Sequence, residues 1–268
     1  MTSTGPETTK PLAGRHAVVT GGGTGIGAAA AMALAREGAR VTVMGRRAEK
    51  LRAQAKAIAD LTGSDAAIEP VDVTDAAAVP AAFTAAATRF GPVAILVNNA
   101  GGAASAPFGK TGLDALERML AVNLKSTFLC TQAVLKNMLA AKHGRIVNIA
   151  STAGLIGYGY VSAYVAAKHA VVGLTRALAL ETAKSGVTVN AVCPGFTDTD
   201  LVARSVATIT AKTGRSAEEA RAELAKTNPM GRLVTPEEVA AAVVFLCLPG
   251  AAAITGQAMV VAGGEVMP

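Results

Sequence analysis

The stretch Thr20-Gly21-Gly22-Gly23-Thr24-Gly25-Ile26-Gly27 lies between an apolar run at 17–20 and an Ala-rich run at 28–36. The apolar run has the length of a buried strand, and the Ala-rich run has that of a helix. Glycines allow a tight turn and close backbone approach, and the start of a helix offers free N–H donors to an anion. A glycine-rich run alone also suits an ordinary strand-to-helix connection. Its position between these two elements predicts a phosphate-binding turn.

Six further β-rich apolar runs follow, at 41–44, 67–71, 94–98, 145–149, 188–192 and 258–261, with Ala- and Leu-rich stretches of helical length between most of them. Strands that alternate with helices predict a single doubly wound parallel sheet of Rossmann type, with helices on both faces. No Pro- or Ser-rich linker interrupts the alternation. We therefore predict one α/β domain at 11–268, preceded by a flexible tail at 1–10.

The composition excludes several other classes of protein. Hydrophobic residues make up 51% of the chain and aromatic residues 3%, which suits parallel sheets covered by Ala-rich helices. The three cysteines lie far apart without metal-ligand spacing, and no histidine pairs with a ligand or nucleophile, so we expect no metal. The uncharged segment 239–264 is long enough for a membrane, but Pro249-Gly250 divides it. We expect a soluble cytoplasmic protein.

The basic residues predict the cofactor. Where a NAD-binding protein usually carries an acidic residue for the ribose 2′-hydroxyl, this chain has Gly45 followed by Arg46 and Arg47. A guanidinium suits a 2′-phosphate, so we predict NADP(H), with NAD(H) as the alternative if both arginines are only solvated. The net charge of +6 is dispersed and lacks interleaved aromatics, so we expect no nucleic-acid partner.

Polar residues follow several of the predicted strands. Tyr164 and Lys168 are four residues apart, which places them on one face of a helix, where an ammonium would lower the pKa of the phenol. Ser151 follows the strand at 145–149, and Asn98-Asn99-Ala100-Gly101 ends the strand before it. Asn123 lies in the intervening helix. Because active sites of parallel sheets gather at the carboxyl ends of the strands, these groups are candidates for one catalytic site.

Together these motifs resemble the classical short-chain dehydrogenase/reductase family over roughly residues 11–268. The resemblance implies that Tyr164 exchanges a proton with the substrate oxygen, that Ser151 hydrogen-bonds that oxygen, and that Lys168 holds the ribose. Asn123 would fix a water between Lys168 and solvent. Further cofactor contacts implied by the resemblance are Asp72 and Val73 at the adenine, Asn99, Ala100 and Gly101 beside it, and Pro194, Gly195, Thr197 and Thr199 at the nicotinamide carboxamide. It also implies a homotetramer.

The resemblance implies a carbonyl reductase or secondary-alcohol dehydrogenase. The segment 228–264 resembles reductases of 3-oxoacyl thioesters, 3-hydroxybutyrate dehydrogenases and aromatic polyketide ketoreductases equally. We expect a 3-oxoacyl (3-hydroxyacyl) thioester on CoA or a carrier protein, with a polyketide, cyclic or aromatic ketone as the alternative. A non-catalytic NADP(H)-binding module is disfavoured because the proton-transfer residues are all present.

The segment 200–228 interrupts the alternation of strands and helices. It carries two Thr-rich turns, a helical piece at 217–226, and the cations Lys212 and Arg215. We predict a lid over the substrate, whose charges would attract an anionic carrier; a surface hairpin without a role is the alternative. Asp198 and Asp200 are expected to be loop and cap residues rather than catalytic acids.

Overall fold

The computed structural model describes residues 10–267, so the predicted tail lies outside the described residues except for its last position. A parallel seven-stranded sheet forms the centre, in the order β3-β2-β1-β4-β5-β6-β7. Its strands are β1 His16–Thr20, β2 Arg40–Gly45, β3 Ala66–Pro70, β4 Val93–Asn98, β5 Gly144–Ile149, β6 Val187–Pro194 and β7 Ala258–Val261. All seven predicted strands are present, with ends displaced by at most two residues.

Helices cover both faces of the sheet. They are α1 Gly25–Arg36, α2 Ala48–Thr62, α3 Ala78–Phe90, α4 Leu113–Leu120, α5 Ser126–Ala140, α6 Ser162–Thr182, α7 Asp200–Thr213, α8 Ala217–Ala225 and α9 Pro236–Cys247. Leu34 of α1 and Leu246 of α9 pack in one core cluster, whereas Phe83 of α3 and Met138 of α5 pack in another. The predicted doubly wound fold is confirmed.

The strand order places the site. The chain winds outward from β1 to β3 and then returns to the other side of β1 with β4, so a crevice opens between β1 and β4 at their carboxyl ends. Every residue of β1, β5 and β6 is buried, as expected for strands covered on both faces. The polar groups that follow these strands therefore point into one crevice rather than onto separate surfaces.

One local prediction is wrong. The Thr-rich part of 205–213 was expected to form turns, but it belongs to α7. The hydroxyls of Ser205, Thr208 and Thr213 donate to carbonyls four residues earlier at 3.2, 2.9 and 2.7 Å, so these side chains are satisfied within the helix. The helix ends at Gly214, whose φ of +72° is left-handed.

Among residues 10–267, none of the helices has the length and apolar character that a membrane crossing needs. Over the same residues, no cluster of three or more His, Cys, Asp or Glu side chains could hold a metal ion.

Candidate active site

The glycine-rich turn has the conformation that phosphate binding needs. Gly21 and Gly25 adopt positive φ angles of +63° and +55°. A Cβ on Gly27 would lie 2.4 Å from the Gly21 oxygen, so α1 approaches the turn as closely as glycine allows. Thr24 and Ile26 line the cleft above this contact. The turn thus leaves room for a diphosphate beside the N-terminus of a twelve-residue helix.

The Asn99 side chain is hydrogen-bonded to the backbone of the glycine-rich turn. Its side-chain amide donates to the oxygens of Thr20 and Gly21 at 3.0 and 3.2 Å. The Thr20 hydroxyl in turn accepts from the backbone nitrogens of Asn99 and Ala100, both at 3.0 Å. The sequence placed Asn99 beside the cofactor; the structure gives it the further task of joining β1 to β4.

Arg46 and Arg47 lie at the carboxyl end of β2, beside the turn. The Arg47 guanidinium donates to the Thr24 hydroxyl at 3.4 Å, and Arg46 lies 4.0 Å from Asp72. Asp72 accepts from the backbone and hydroxyl of Thr74, and these bonds, with the Arg46 charge, lower its pKa. Both arginines and the buried Val73 line the cleft, so the predicted recognition residues for the adenosine half lie together.

Tyr164 and Lys168 lie on the cleft side of α6. Lys168 is 5% exposed and donates to the Ile149 oxygen at 2.8 Å, while its nitrogen lies 5.7 Å from the Tyr164 ring centre. Burial lowers the pKa of Lys168 from 10.5 to about 8. Burial likewise raises the pKa of Tyr164, against a hydrogen bond with Ser151 that lowers it.

The expected lowering of the Tyr164 pKa by Lys168 is therefore wrong for this structure. Removal of the phenol from water outweighs a cation that is not hydrogen-bonded to it. A phenol is protonated near neutral pH, and the raised pKa of Tyr164 extends that protonated range upward, so its hydroxyl can donate. The Ser151 oxygen accepts from the backbone nitrogen of Ala153 at 3.1 Å, which fixes its position beside the phenol.

Asn123 lies in a π-helical turn, Ala121–Lys125, between α4 and α5. Its amide donates to the oxygens of Gly102 and Met119 at 3.0 and 2.9 Å and accepts from the Gly102 nitrogen at 3.3 Å. A Cβ on Gly101 would lie 2.8 Å from the Asn123 oxygen and 3.7 Å from Lys168. Asn123 therefore anchors the loop after β4 next to Lys168; the water that it was expected to fix stays a prediction.

The loop after β6 forms one wall of the cleft, at the place where the resemblance predicts the nicotinamide. The Thr197 hydroxyl donates to the Gly195 oxygen at 3.0 Å, and the Thr199 hydroxyl donates to the Thr197 oxygen at 3.2 Å. Asp198 pairs with Arg221 of α8. Thr199 precedes the first residue of α7, Asp200. Asp198 thus lies in the loop, as predicted, whereas Thr199 is the cap of α7 and Asp200 is its first residue.

One continuous cleft of about 1210 Å³ contains these groups. All the predicted site residues lie in the described part of the chain. Every one of them lines the cleft except Gly27, which is packed beneath the turn. The structure adds Arg118, Tyr158 and Arg204, which the sequence did not single out. Tyr158 lacked a lysine four residues on, and nothing local marks the arginines.

The cations predicted for the lid do not reach the cleft. Lys212 and Arg215 lie at and beyond the far end of α7, and Arg215 is 3.6 Å from Glu223 of α8. Neither belongs to the cleft lining, whereas Leu201, Val202 and Arg204 from the first turns of α7 do. A helix of fourteen residues carries its last turn about 15 Å from its first. Near this end of the cleft the lining cations are therefore Arg204 and Arg118, and Arg118 is paired with Asp114 at 2.5 Å.

The fold and the cleft have the features of a nucleotide-binding enzyme, and comparisons with known proteins show its family. A short chain dehydrogenase family model matches residues 15–210. A putative ketoacyl reductase of Streptomyces coelicolor is 43% identical over 254 residues, 92% of this chain and 95% of the relative. The cis-4-hydroxycyclohexanecarboxylate dehydrogenase of Sinomonas cyclohexanicum is 42% identical over 254 residues, 94% and 97% of the two chains.

The crystal structure of an actinorhodin polyketide ketoreductase variant with NADPH is 41% identical and superposes with a TM-score of 0.90, covering 94% of this chain and 97% of that one. The chain belongs to the short-chain dehydrogenase family, as its motifs indicated. It is an oxidoreductase that acts on CH–OH or keto groups.

Proposed function

We propose that this chain is an NADP(H)-dependent carbonyl reductase in which Tyr164 supplies the proton. The observation that carries the proposal is the continuity of the cleft, which joins the glycine-rich turn and Arg46 to Tyr164, Lys168 and Ser151 without a break. A non-catalytic cofactor-binding module would not need a phenol beside Ser151 and Lys168 at the end of that cleft.

The residues divide the task. Bound nicotinamide supplies the hydride in reduction and accepts it in oxidation. Tyr164, protonated near neutral pH like any phenol, gives its proton to the carbonyl oxygen as negative charge develops there. Ser151 hydrogen-bonds the same oxygen, and Lys168 returns a proton from solvent to the phenolate by way of water held near Asn123. In oxidation each proton moves in the opposite direction.

The cofactor preference rests on Arg46 and Arg47. Both guanidinium groups lie beside the end of β2, where a ribose 2′-phosphate would be bound, and Asp72 is the nearest carboxylate to Arg46. A charge-assisted contact to phosphate favours NADP(H), whereas the same site offers a 2′-hydroxyl only an exposed cation. The relative crystallised with NADPH supports this assignment.

We further propose a 3-oxoacyl thioester as substrate, carried by CoA or a carrier protein. The support is the similarity to ketoacyl reductases and the presence of two cations, Arg118 and Arg204, on the lining of the cleft. Within the same proposal α7 and α8 form a lid, since the first turns of α7 line the cleft, and the chain works as a cytoplasmic homotetramer. A cyclic ketone is the second candidate, favoured by the hydroxycyclohexanecarboxylate dehydrogenase relative.

The test is oxidation of NADPH and of NADH by the unmodified protein with acetoacetyl-CoA, cyclohexanone and a bulky aromatic ketone. We expect turnover, a preference for NADPH, and the highest kcat/KM with the thioester. That value should fall as ionic strength rises from about 0.01 to 0.15 M, because the Debye length shrinks from about 30 to 8 Å. Faster turnover of the neutral ketones would remove the thioester assignment only. No turnover with any carbonyl would remove the reductase.

A further inference from the structure

A carboxylate from the end of the chain reaches the wall of the cleft. After β7 the backbone turns sharply at Gly263 and Gly264, whose φ angles are +58° and +93°, and the nitrogen of Glu265 donates to the Ala262 oxygen at 3.1 Å. A Cβ on Gly263 would lie 2.0 Å from the buried Asn228 side chain. The turn is therefore packed against the chain that follows α8, and it directs Glu265 back toward the site.

Glu265 binds the cleft-lining Tyr158. The phenol oxygen lies 2.6 Å from a carboxylate oxygen of Glu265 and 2.8 Å from the Thr152 hydroxyl. A phenol has one proton, and an ionised carboxylate is the stronger acceptor, so Tyr158 donates to Glu265 and accepts from Thr152. Burial and the bond to Glu265 raise the pKa of Tyr158, which keeps it protonated.

The second carboxylate oxygen of Glu265 is buried and has no hydrogen-bond partner among the described residues. It lies against the turn after β6, because a Cβ on Gly195 would be 2.6 Å from it. Phe196, on the same turn, meets the Tyr158 ring edge to face with a centroid distance of 6.3 Å. The Glu265 carboxylate therefore joins Tyr158, on the wall of the cleft, to the turn after β6.

We propose that Glu265 is a positioning residue that holds Tyr158 as a rigid wall of the substrate pocket and thereby helps to determine which ketones fit. Tyr158 and Tyr164 both line the cleft. Because the proton of Tyr158 is engaged by Glu265, Tyr164 is the phenol left to protonate a substrate. The effect on ketone selection rests on the proposed reductase activity, whereas the contact between Glu265 and Tyr158 does not.

Substitution of Glu265 should loosen the wall without removing the catalytic groups. Hydrogen bonds to charged groups contribute about 1.5–3 kcal/mol, or about ten- to hundredfold. In Glu265→Ala we expect kcat/KM for a bulky ketone relative to a small cyclic one to change by about tenfold, mainly through KM. Glu265→Gln keeps an acceptor oxygen and should restore most of the ratio. Glu181→Ala, an exposed site on α6, is the matched control.

A spectroscopic readout separates this inference from the proposed function. The chain has three tyrosines, so labelling with ¹³C at Cζ gives three resonances, assigned with Tyr158→Phe and Tyr160→Phe. The Tyr158 resonance should move in Glu265→Ala, return toward its original position in Glu265→Gln, and stay in place in Glu181→Ala. NADPH affinity, measured by cofactor fluorescence, should be unchanged in all three.

An unmoved Tyr158 resonance in Glu265→Ala would overturn the inference, and so would a moved resonance with an unchanged ketone ratio. A lower Tm with an unchanged ratio would assign Glu265 a structural role only and would overturn it too. If the unmodified protein reduces no ketone, the proposed function fails, and the resonance alone then decides whether Glu265 positions Tyr158.

Discussion

Lys168 is a buried cation without a carboxylate partner among the described residues. We therefore expect the free energy of unfolding to depend on pH through this side chain. It is 5% exposed, its nitrogen donates to the Ile149 oxygen, and no ion pair found among residues 10–267 includes it. Burial lowers its pKa from 10.5 to about 8. Between these values the unfolded chain binds a proton that the folded protein has released, so the free energy of unfolding increases as pH rises.

The expected size follows from the shift. The pKa of Lys168 is 10.5 in the unfolded chain and about 8 in the folded protein, and this difference corresponds to about 3 kcal/mol of unfolding free energy. About 2 to 3 kcal/mol of it is gained between pH 7 and pH 10. In Lys168→Met this gain is absent, because the aliphatic side chain does not titrate. Titrating groups distant from Lys168 contribute equally to both proteins, so the difference between them reports Lys168 and its neighbour Cys193.

The assay is urea unfolding of both proteins at pH 7 and pH 10, at one protein concentration and without cofactor. The unmodified protein should become more stable relative to Lys168→Met by about 2 to 3 kcal/mol over that range. The matched control is Lys56→Met, since Lys56 lies on the exposed surface of α2 and pairs with Asp60. Equal pH dependence of the unmodified and Lys168→Met proteins would refute the reasoning and would place the lysine in contact with water.

Arg46→Ala should raise the KM for NADPH by about tenfold and leave the KM for NADH nearly unchanged. Tenfold is the lower end of the range for hydrogen bonds to charged groups, and it applies because the Arg46 side chain is 77% exposed. Arg36→Ala is the control, and equal kcat/KM of the unmodified protein with both cofactors would contradict the assignment. Gly27→Ala should weaken NADPH binding more than tenfold and lower Tm, because its Cβ would lie 2.4 Å from the Gly21 oxygen. Gly173→Ala on α6 meets nothing within 4 Å and should keep full NADPH affinity.

The sequence predicted the sheet and the centre of the site because both depend on local patterns. Each strand is an apolar run, and residues such as Ser151 and Asn99 follow directly from the ends of strands, whose carboxyl ends must meet in a parallel sheet. The spacing of Tyr164 and Lys168 is set by one helix. These features need no knowledge of how distant segments pack.

The remaining features depend on distant packing. Arg204 lines the cleft and Lys212 does not because both lie on one continuous helix, α7, and only its first turns reach the cleft. The threonines of this segment are more typical of turns, so the sequence did not predict the helix. Glu265 contacts Tyr158 although the two residues are 107 positions apart in the chain, and no local sequence pattern predicts such a contact. The pKa of Tyr164 depends on the balance of burial against charge, which spacing alone does not give.

The most direct test of the central claim is turnover by Tyr164→Phe, measured with NADPH and the best ketone substrate beside Tyr160→Phe. Removal of the phenol hydroxyl takes away the proton donor but preserves the ring, so kcat should fall by at least about 10²-fold while NADPH affinity is unchanged. Tyr160 is 70% exposed, and its variant should keep nearly full activity. Retained turnover in Tyr164→Phe, or an equal loss in Tyr160→Phe, would contradict Tyr164 as the proton donor.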